Sequence, residues 1–258
     1  MDSLIDLLRN SGTSEQQALM LVLLLVTLPL LALFTMQQRA GKPVALRPIQ
    51  AFHRVREFIG RGAETGRPIH VSLGTGGIAD ASTAESLAGV TFMGHIAGQS
   101  IASGAPLIVT VSDPTLLPLA QETALHAWES RQYGCDAAEP EVRLVAPEPV
   151  AYAAGVMDTL LGEHVAANVM VGKFGHEYLL MGETGIRTRT PQIAGGIDPQ
   201  TLAFIQATAD EVLIGEEIFA SGAYLNPKPT HIASLRVQDW LRVLVTVVIL
   251  VGVILRSV

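Results

Sequence analysis

A chain of 258 residues with 49% hydrophobic content is long enough for one substantial core plus membrane segments, and its mean hydropathy of +0.38 is high for a water-soluble enzyme. A formal net charge of −7, with no basic stripe inside the central region, excludes a nucleic-acid binder. The only cysteine, Cys135, excludes an internal disulfide, fits a reducing compartment and has no metal-ligand spacing around it.

Residues 1–15 read as a short N-terminal segment carrying Asp2, Asp6 and Glu15 against Arg9. Residues 16–38 contain no charge and are long enough for a membrane helix, which tolerates Pro29 within it. A signal peptide is the competing reading. The acidic flank and the lack of a small-residue cleavage site after Phe34 oppose it. Residues 39–66 comprise a basic linker with Gly41, Pro43 and Pro48, then an amphipathic helix over Ile49–Thr65. Each linker cation gains roughly 1 kcal/mol near anionic lipid.

Residues 67–229 alternate short apolar runs with longer helical stretches, the pattern of a parallel sheet with helices on both faces. Strands are expected at His70–Leu73, Leu107–Val111, Arg143–Ala146, Ala167–Val171, Gln192–Ala194 and Glu211–Ile214. Their near-continuous apolar character is that of strands covered on both faces. Helices are expected over Ser82–Ser103, Pro114–Arg131, Pro149–Gly162, Gly175–Thr184 and Pro199–Thr208. Ser82 and Glu85 have capping-box spacing, and Asp113-Pro114 and Asp198-Pro199 pair an N-cap Asp with Pro at the first helical position. Gly162 and Gly222 read as helix stops, and Gly134 to Glu141 as an exposed loop.

Residues 230–258 read as a helix that starts near Thr230 and continues into a second membrane span. Only Val243–Leu255 is uncharged, so Arg242 and Arg256 must snorkel, with Trp240 as interfacial anchor. A helix lying at the interface is the alternative. The fold class is therefore α/β, a Rossmann-like parallel sheet with helices on both faces, flanked by N- and C-terminal transmembrane helices. Arg39, Lys42, Arg47, Arg54, Arg56, Arg61 and Arg67 after the first span, and Arg236 and Arg242 before the second, place the α/β domain in the cytoplasm and both termini outside an inner membrane.

In an open α/β sheet, ligands bind beyond the carboxyl ends of the strands. The candidate ligand-binding residues are therefore Gly74, Thr75, Gly76 and Gly77 after the first strand, Asp113 after the second, Lys173, His176 and Glu177 after the fourth, and Asp198 after the fifth. The glycine loop offers amides to a phosphate, yet the dinucleotide fingerprint lacks its third glycine and a P-loop its Lys-Ser/Thr. Turn geometry alone also calls for these glycines. Lys173 suits an anionic ligand, and His176 or Glu177 a proton transfer, but a helix start explains Glu177 equally well. The remaining histidines have neither metal spacing nor a nucleophile beside them, and Glu216-Glu217 reads as a capped helix start rather than a cation site. No metal ligand set, nucleophile elbow or cofactor signature is present.

The stretches Arg47-Pro48-Ile49, His70 to Gly77, Ala151 to Gly155, Ala207 to Asp210, Ile214 to Glu217, Ala220 to Leu225 and Ala233 to Asp239 carry a resemblance. Together they make the chain similar to an uncharacterised family of bacterial membrane proteins, a domain of unknown function in Chloroflexus-type bacteria and relatives. The resemblance implies the two-anchor layout and no activity.

Three functions follow as expectations. The first is a structural or assembly protein without assigned catalysis, self-associating through small residues at Ala151–Gly155 and Ala220–Ala223, with the lipid bilayer and other membrane proteins as partners. The second is a membrane-bound nucleotide or phosphate-ligand sensor. The third is an enzyme on a phosphorylated or lipid-linked substrate that uses Lys173, His176 and Glu177.

Overall fold

The computed structural model describes residues 15–40, 47–130, 138–225 and 227–257. Residues 134–137 of the Gly134–Glu141 loop, Cys135 among them, residues 41–46 of the basic linker and the first fourteen residues lie outside the described part. The chain divides into two compact units, one of residues 1–46 and 227–258, the other Arg47–Asn226.

The first unit pairs helices α1 (Glu15–Arg39) and α9 (Pro229–Ser257). Two helical stretches are long and apolar enough to cross a membrane, Met20–Arg39 with mean hydropathy 2.3 and Pro229–Ile254 with 2.0. Phe34, Ala233 and Val237 form their small core, with Leu30, Leu31 and Leu241 packed around it. The Arg236 guanidinium lies 5.0 Å from the centroid of the Phe34 ring, a cation–π contact. Most other apolar side chains of both helices, Leu21 to Leu25 and Val243 to Leu250 among them, face outward.

The second unit contains helix α2 (Gln50–Thr65) and six parallel strands: β1 (Ile69–Gly74), β2 (Leu107–Val111), β3 (Glu141–Leu144), β4 (Ala167–Lys173), β5 (Gln192–Gly196) and β6 (Glu211–Ile214). Between them run α3 (Thr83–Ser103), α4 (Leu117–Glu129), α5 (Pro149–Gly162), α6 (Tyr178–Thr188) and α7 (Pro199–Thr208). A 3₁₀ turn (Gly215–Ala220) and α8 (Ser221–Leu225) follow β6. The strands are ordered β3-β2-β1-β4-β5-β6, the doubly wound arrangement in which the connection reverses direction between β1 and β4.

Alternation along the strands assigns the two faces. Ile69, Val71, Leu73, Val109, Val111, Val169 and Val171 pack under α2, α3 and α4 in the larger core. Met170 and Ala194 pack with Tyr152, Val156, Leu160, Tyr178, Met181 and Ile205 of α5, α6 and α7. The amphipathic α2 buries Phe52, Val55, Phe58 and Ile59, and Phe52 stacks on Tyr224 with ring centroids 5.0 Å apart. Helix α3 comes so near the sheet that a Cβ at Gly89 would stand 2.5 Å from the Val171 carbonyl oxygen. That close helix–strand approach is the packing role usually given to the last glycine of a dinucleotide fingerprint.

Several local expectations need correction. Ser82 makes no side-chain bond to the start of α3. Its Oγ instead donates to Asp80 Oδ1 (2.6 Å) and accepts from the Gly77 amide (3.0 Å), so the capping-box pair Ser82–Glu85 does not form. Asp113 does not cap a helix either: its Oδ1 accepts from the Thr115 amide at 2.7 Å, and α4 begins only at Leu117. Helix α6 starts at Tyr178 and runs to Thr188, and β3 lies two residues earlier than expected. Gly222 sits inside α8 rather than ending a helix. Asp198 does cap α7, with Pro199 next in the chain and its Oδ2 accepting from the Thr201 amide at 3.0 Å. Glu148 caps α5 in the same way, its Oε2 accepting from the Ala151 amide at 2.7 Å.

Candidate functional site at the β1–β4 switch point

The strand order brings the Gly74–Gly77 loop and the Lys173–Glu177 loop side by side, because β1 and β4 are neighbours and their helices leave on opposite faces. The pairing tightens at its carboxyl end, where the register shifts between Ser72 and Gly74. There a Cβ on Gly74 (φ +77°) would lie 2.1 Å from the Lys173 carbonyl oxygen, and one on Gly172 would lie 2.2 Å from that of Leu73. These two glycines let adjacent backbones touch.

Three amides of the first loop are already bonded within the chain. Thr75 N donates to the Lys173 carbonyl (2.8 Å), Gly77 N to Ser82 Oγ (3.0 Å) and Ile78 N to Thr115 Oγ1 (2.9 Å). Glu177 is buried and ties the two loops together, its Oε1 accepting from the Gly175 amide at 2.7 Å and from Thr75 Oγ1 at 3.4 Å. Asp113 also reaches the site: a Cβ on Gly77 would sit 2.7 Å from its Oδ2. The carboxyl ends of β1, β2 and β4 are thus joined by side chains acting as cross-ties.

Around them lies a ring of charge. Burial raises the Glu85 carboxyl above its ordinary range, Lys173 opposes the shift, and Asp198 and Asp80 add to it. Asp80 is held low by hydrogen bonds from Ser82, and Asp198 by those from Thr201. Lys173 and His176 are exposed, and His176 lies edge-on to Phe204 with centroids 6.2 Å apart. His176 and Glu177 diverge, one outward and one inward. Ser86 Oγ, fully buried, has no hydrogen-bond partner and stands 2.6 Å from the position of a Gly76 Cβ. Among the described residues no group of three metal-ligating side chains occurs. A cavity of about 760 Å³ opens elsewhere, between α4 and the start of β3, lined by Pro118, Gln121, Leu125, Glu139 and Val142 among others.

One polar system went unnoticed in the sequence. Beneath the switch point, on the α5–α7 side of the sheet, a buried chain of hydrogen bonds crosses four strands from β2 to β5. Gln192 Nε2 donates to the carbonyls of Gly182 and Thr208, both at 3.0 Å. Its Oε1 therefore accepts from Asn168 Nδ2 (3.0 Å), which leaves Asn168 Oδ1 to accept from His70 Nδ1 (2.7 Å). His70 Nε2 then accepts from Thr110 Oγ1 at 2.9 Å. The Tyr152 hydroxyl completes the array at 2.7 Å from Ser72 Oγ and 3.1 Å from Thr110 Oγ1. Burial lowers the His70 pKa to about 4 and raises that of Tyr152 to about 12, so both are neutral. The signal was present as polar residues at alternate positions, His70 and Ser72 in one strand and Asn168 and Gln192 in register with each other on two more.

Comparison with curated proteins and with solved structures finds no match. Residues 9–258 match the family described as Domain of unknown function (DUF6754), and the match spans both apolar helices and the whole sheet. The chain belongs to the DUF6754 family.

Proposed function

We propose that this protein is a membrane-anchored structural or assembly component that self-associates through its α/β domain. It would sit in a bacterial inner membrane with that domain in the cytoplasm and both termini outside. The arginines that follow the first apolar helix support this orientation. The observation that carries the reading is at the switch point: the Thr75, Gly77 and Ile78 amides, which a phosphate would need, already serve Lys173, Ser82 and Thr115.

Of the small residues expected at subunit contacts, Ala151 and Ala154 are exposed on α5, whereas others are used inside the domain. Ala220, Ser221 and Ala223 are buried, and a Cβ on Gly155 would meet Val145 Cγ1 at 2.2 Å. The outer face of α5 offers a different surface. Val150, Ala154, Met157 and Leu161 follow one another at spacings of four, three and four, and Val150 and Leu161 are 58% and 55% exposed. The edge strand β3 beside this helix is guarded, because Arg143 pairs with Glu141 and Glu163. Subunits therefore meet through α5 and not by extending the sheet. Mass measurement of the detergent-solubilised protein tests this, and a single-chain mass at every concentration would refute it.

A second reading, a phosphate-ligand sensor, is favoured by the strand reversal between β1 and β4 with Lys173 and the unpartnered Ser86 hydroxyl beside it. Thermal shifts with a panel of nucleotides test it; no shift with any of them counts against it. An enzyme on a phosphorylated or lipid-linked substrate would need Lys173, His176 and Glu177 to converge, and the inward turn of Glu177 gives that reading the least support.

A further inference from the structure

The charge of the α/β unit is segregated. Residues 47–67 carry five arginines against two glutamates, whereas residues 68–226 carry five Lys and Arg against eighteen Asp and Glu. The cationic stretch is α2 with its two ends. Its apolar side is buried against α3 and α8 through Phe52, Val55, Phe58 and Ile59, so its outward side is rigidly part of the domain surface. On that side Arg47 pairs with Glu217, and Arg54 pairs with Glu57 and Glu211 at 2.8 and 3.3 Å. This leaves Arg56, Arg61 and Arg67, all exposed and in no ion pair among the described residues.

We propose that the outer face of α2 binds the anionic headgroups of the bilayer that holds the two apolar helices. The buried centre of a protein–protein interface is usually more apolar than its rim, and α2 has spent its apolar residues on the domain core. A headgroup layer needs only clustered Lys or Arg within a Debye length of its surface. Chain connectivity limits how far the face can lie from lipid, since ten residues separate Arg39, the end of the first apolar helix, from Gln50. The acidic remainder of the unit is repelled by the same surface, so the lipid charge both attracts α2 and orients the domain. This inference does not depend on whether the domain self-associates.

Gly60 supplies the probe position, because a Cβ there meets nothing within 4 Å and its φ suits any residue. The full-length protein, carrying Cys135→Ser and Gly60→Cys, is placed in nanodiscs of phosphatidylcholine alone or with about 30% phosphatidylglycerol, and labelling by a soluble maleimide is timed. Labelling is expected to slow about fivefold in the anionic discs. The slowing should vanish at about 0.5 M salt, where the Debye length shrinks to a few ångströms. It should vanish also on combining Arg56→Gln, Arg61→Gln and Arg67→Gln, all at exposed positions. A thiol placed by Glu183→Cys on the exposed side of α6 should label equally in both lipids. Equal rates for the Gly60→Cys thiol in the two lipids overturn the proposal. So does a slowing that survives salt and the arginine changes, or one shared by the Glu183→Cys thiol.

Discussion

The Tyr224 hydroxyl donates a 2.6 Å hydrogen bond to the carbonyl of Arg47, across 177 positions of sequence. Arg47 stands where the α/β unit begins, and Tyr224 close to where it ends. The Arg47 guanidinium also pairs with Glu217, whose other oxygen accepts from the Ile214 amide at the carboxyl end of β6. Both ends of the unit are therefore clasped at one corner of the sheet, on the side of the strands' carboxyl ends.

That clasp is measurable. Tyr224→Phe keeps the stacking on Phe52 and removes the hydroxyl, so it should cost about 1 kcal/mol. Tyr224→Ala removes the ring as well and should cost about 3 kcal/mol or more. Chemical denaturation of the two variants in detergent separates the contributions: no loss in Tyr224→Phe would show that the hydroxyl contributes nothing, and equal losses in the two would show that the ring adds nothing beyond it.

His70 sets an acid limit on stability. Its pKa is about 4 in the folded chain against an ordinary 6.5, so the unfolded state binds the proton more readily between those values. The neutral array is fully stable above pH 6.5 and loses stability as pH falls towards 4, by about 3 kcal/mol in all. Asp80 and Asp198, held low by their hydrogen bonds, act only at more acid pH. Unfolding free energies measured from pH 7 to pH 4 should show this slope, and His70→Gln should flatten it.

Two glycines should respond in opposite directions. Gly74→Ala forces a methyl to within 2.1 Å of the Lys173 carbonyl at a φ of +77°, and should cost about 4 kcal/mol or prevent folding. Gly60→Ala fills open space on the exposed side of α2 and should stabilise by about 0.5–1 kcal/mol. Melting temperatures of the pair test whether the β1–β4 contact is as close as the structure has it.

Much of this architecture is legible in the residues. The six strands and the helices between them are visible as short apolar runs alternating with longer helical stretches, and β2, α5, α7 and β6 fall at the expected residues. Asp198-Pro199 works as read because the carboxylate immediately precedes the helix. Asp113-Pro114 carries the same signal and fails, since Thr115 offers a nearer donor and draws the carboxylate into a local turn. Ser82 fails likewise, because Asp80 and the Gly77 amide compete for its hydroxyl. Strand order was beyond sequence reasoning, being set by contacts between residues about a hundred apart, such as His70 with Asn168. Without that order, neither the internal use of the glycine-loop amides nor the polar array beneath them follows from motif spacing.

The most direct test of the assembly reading is the mass of the native particle, purified in mild detergent and compared with a variant carrying Val150→Asp and Leu161→Asp on the exposed face of α5. Self-association through that face predicts a particle of several chains that falls to a single chain in the variant, with its melting temperature preserved. A native particle of single-chain mass at all concentrations, or a multi-chain particle unchanged by the two aspartates, contradicts it.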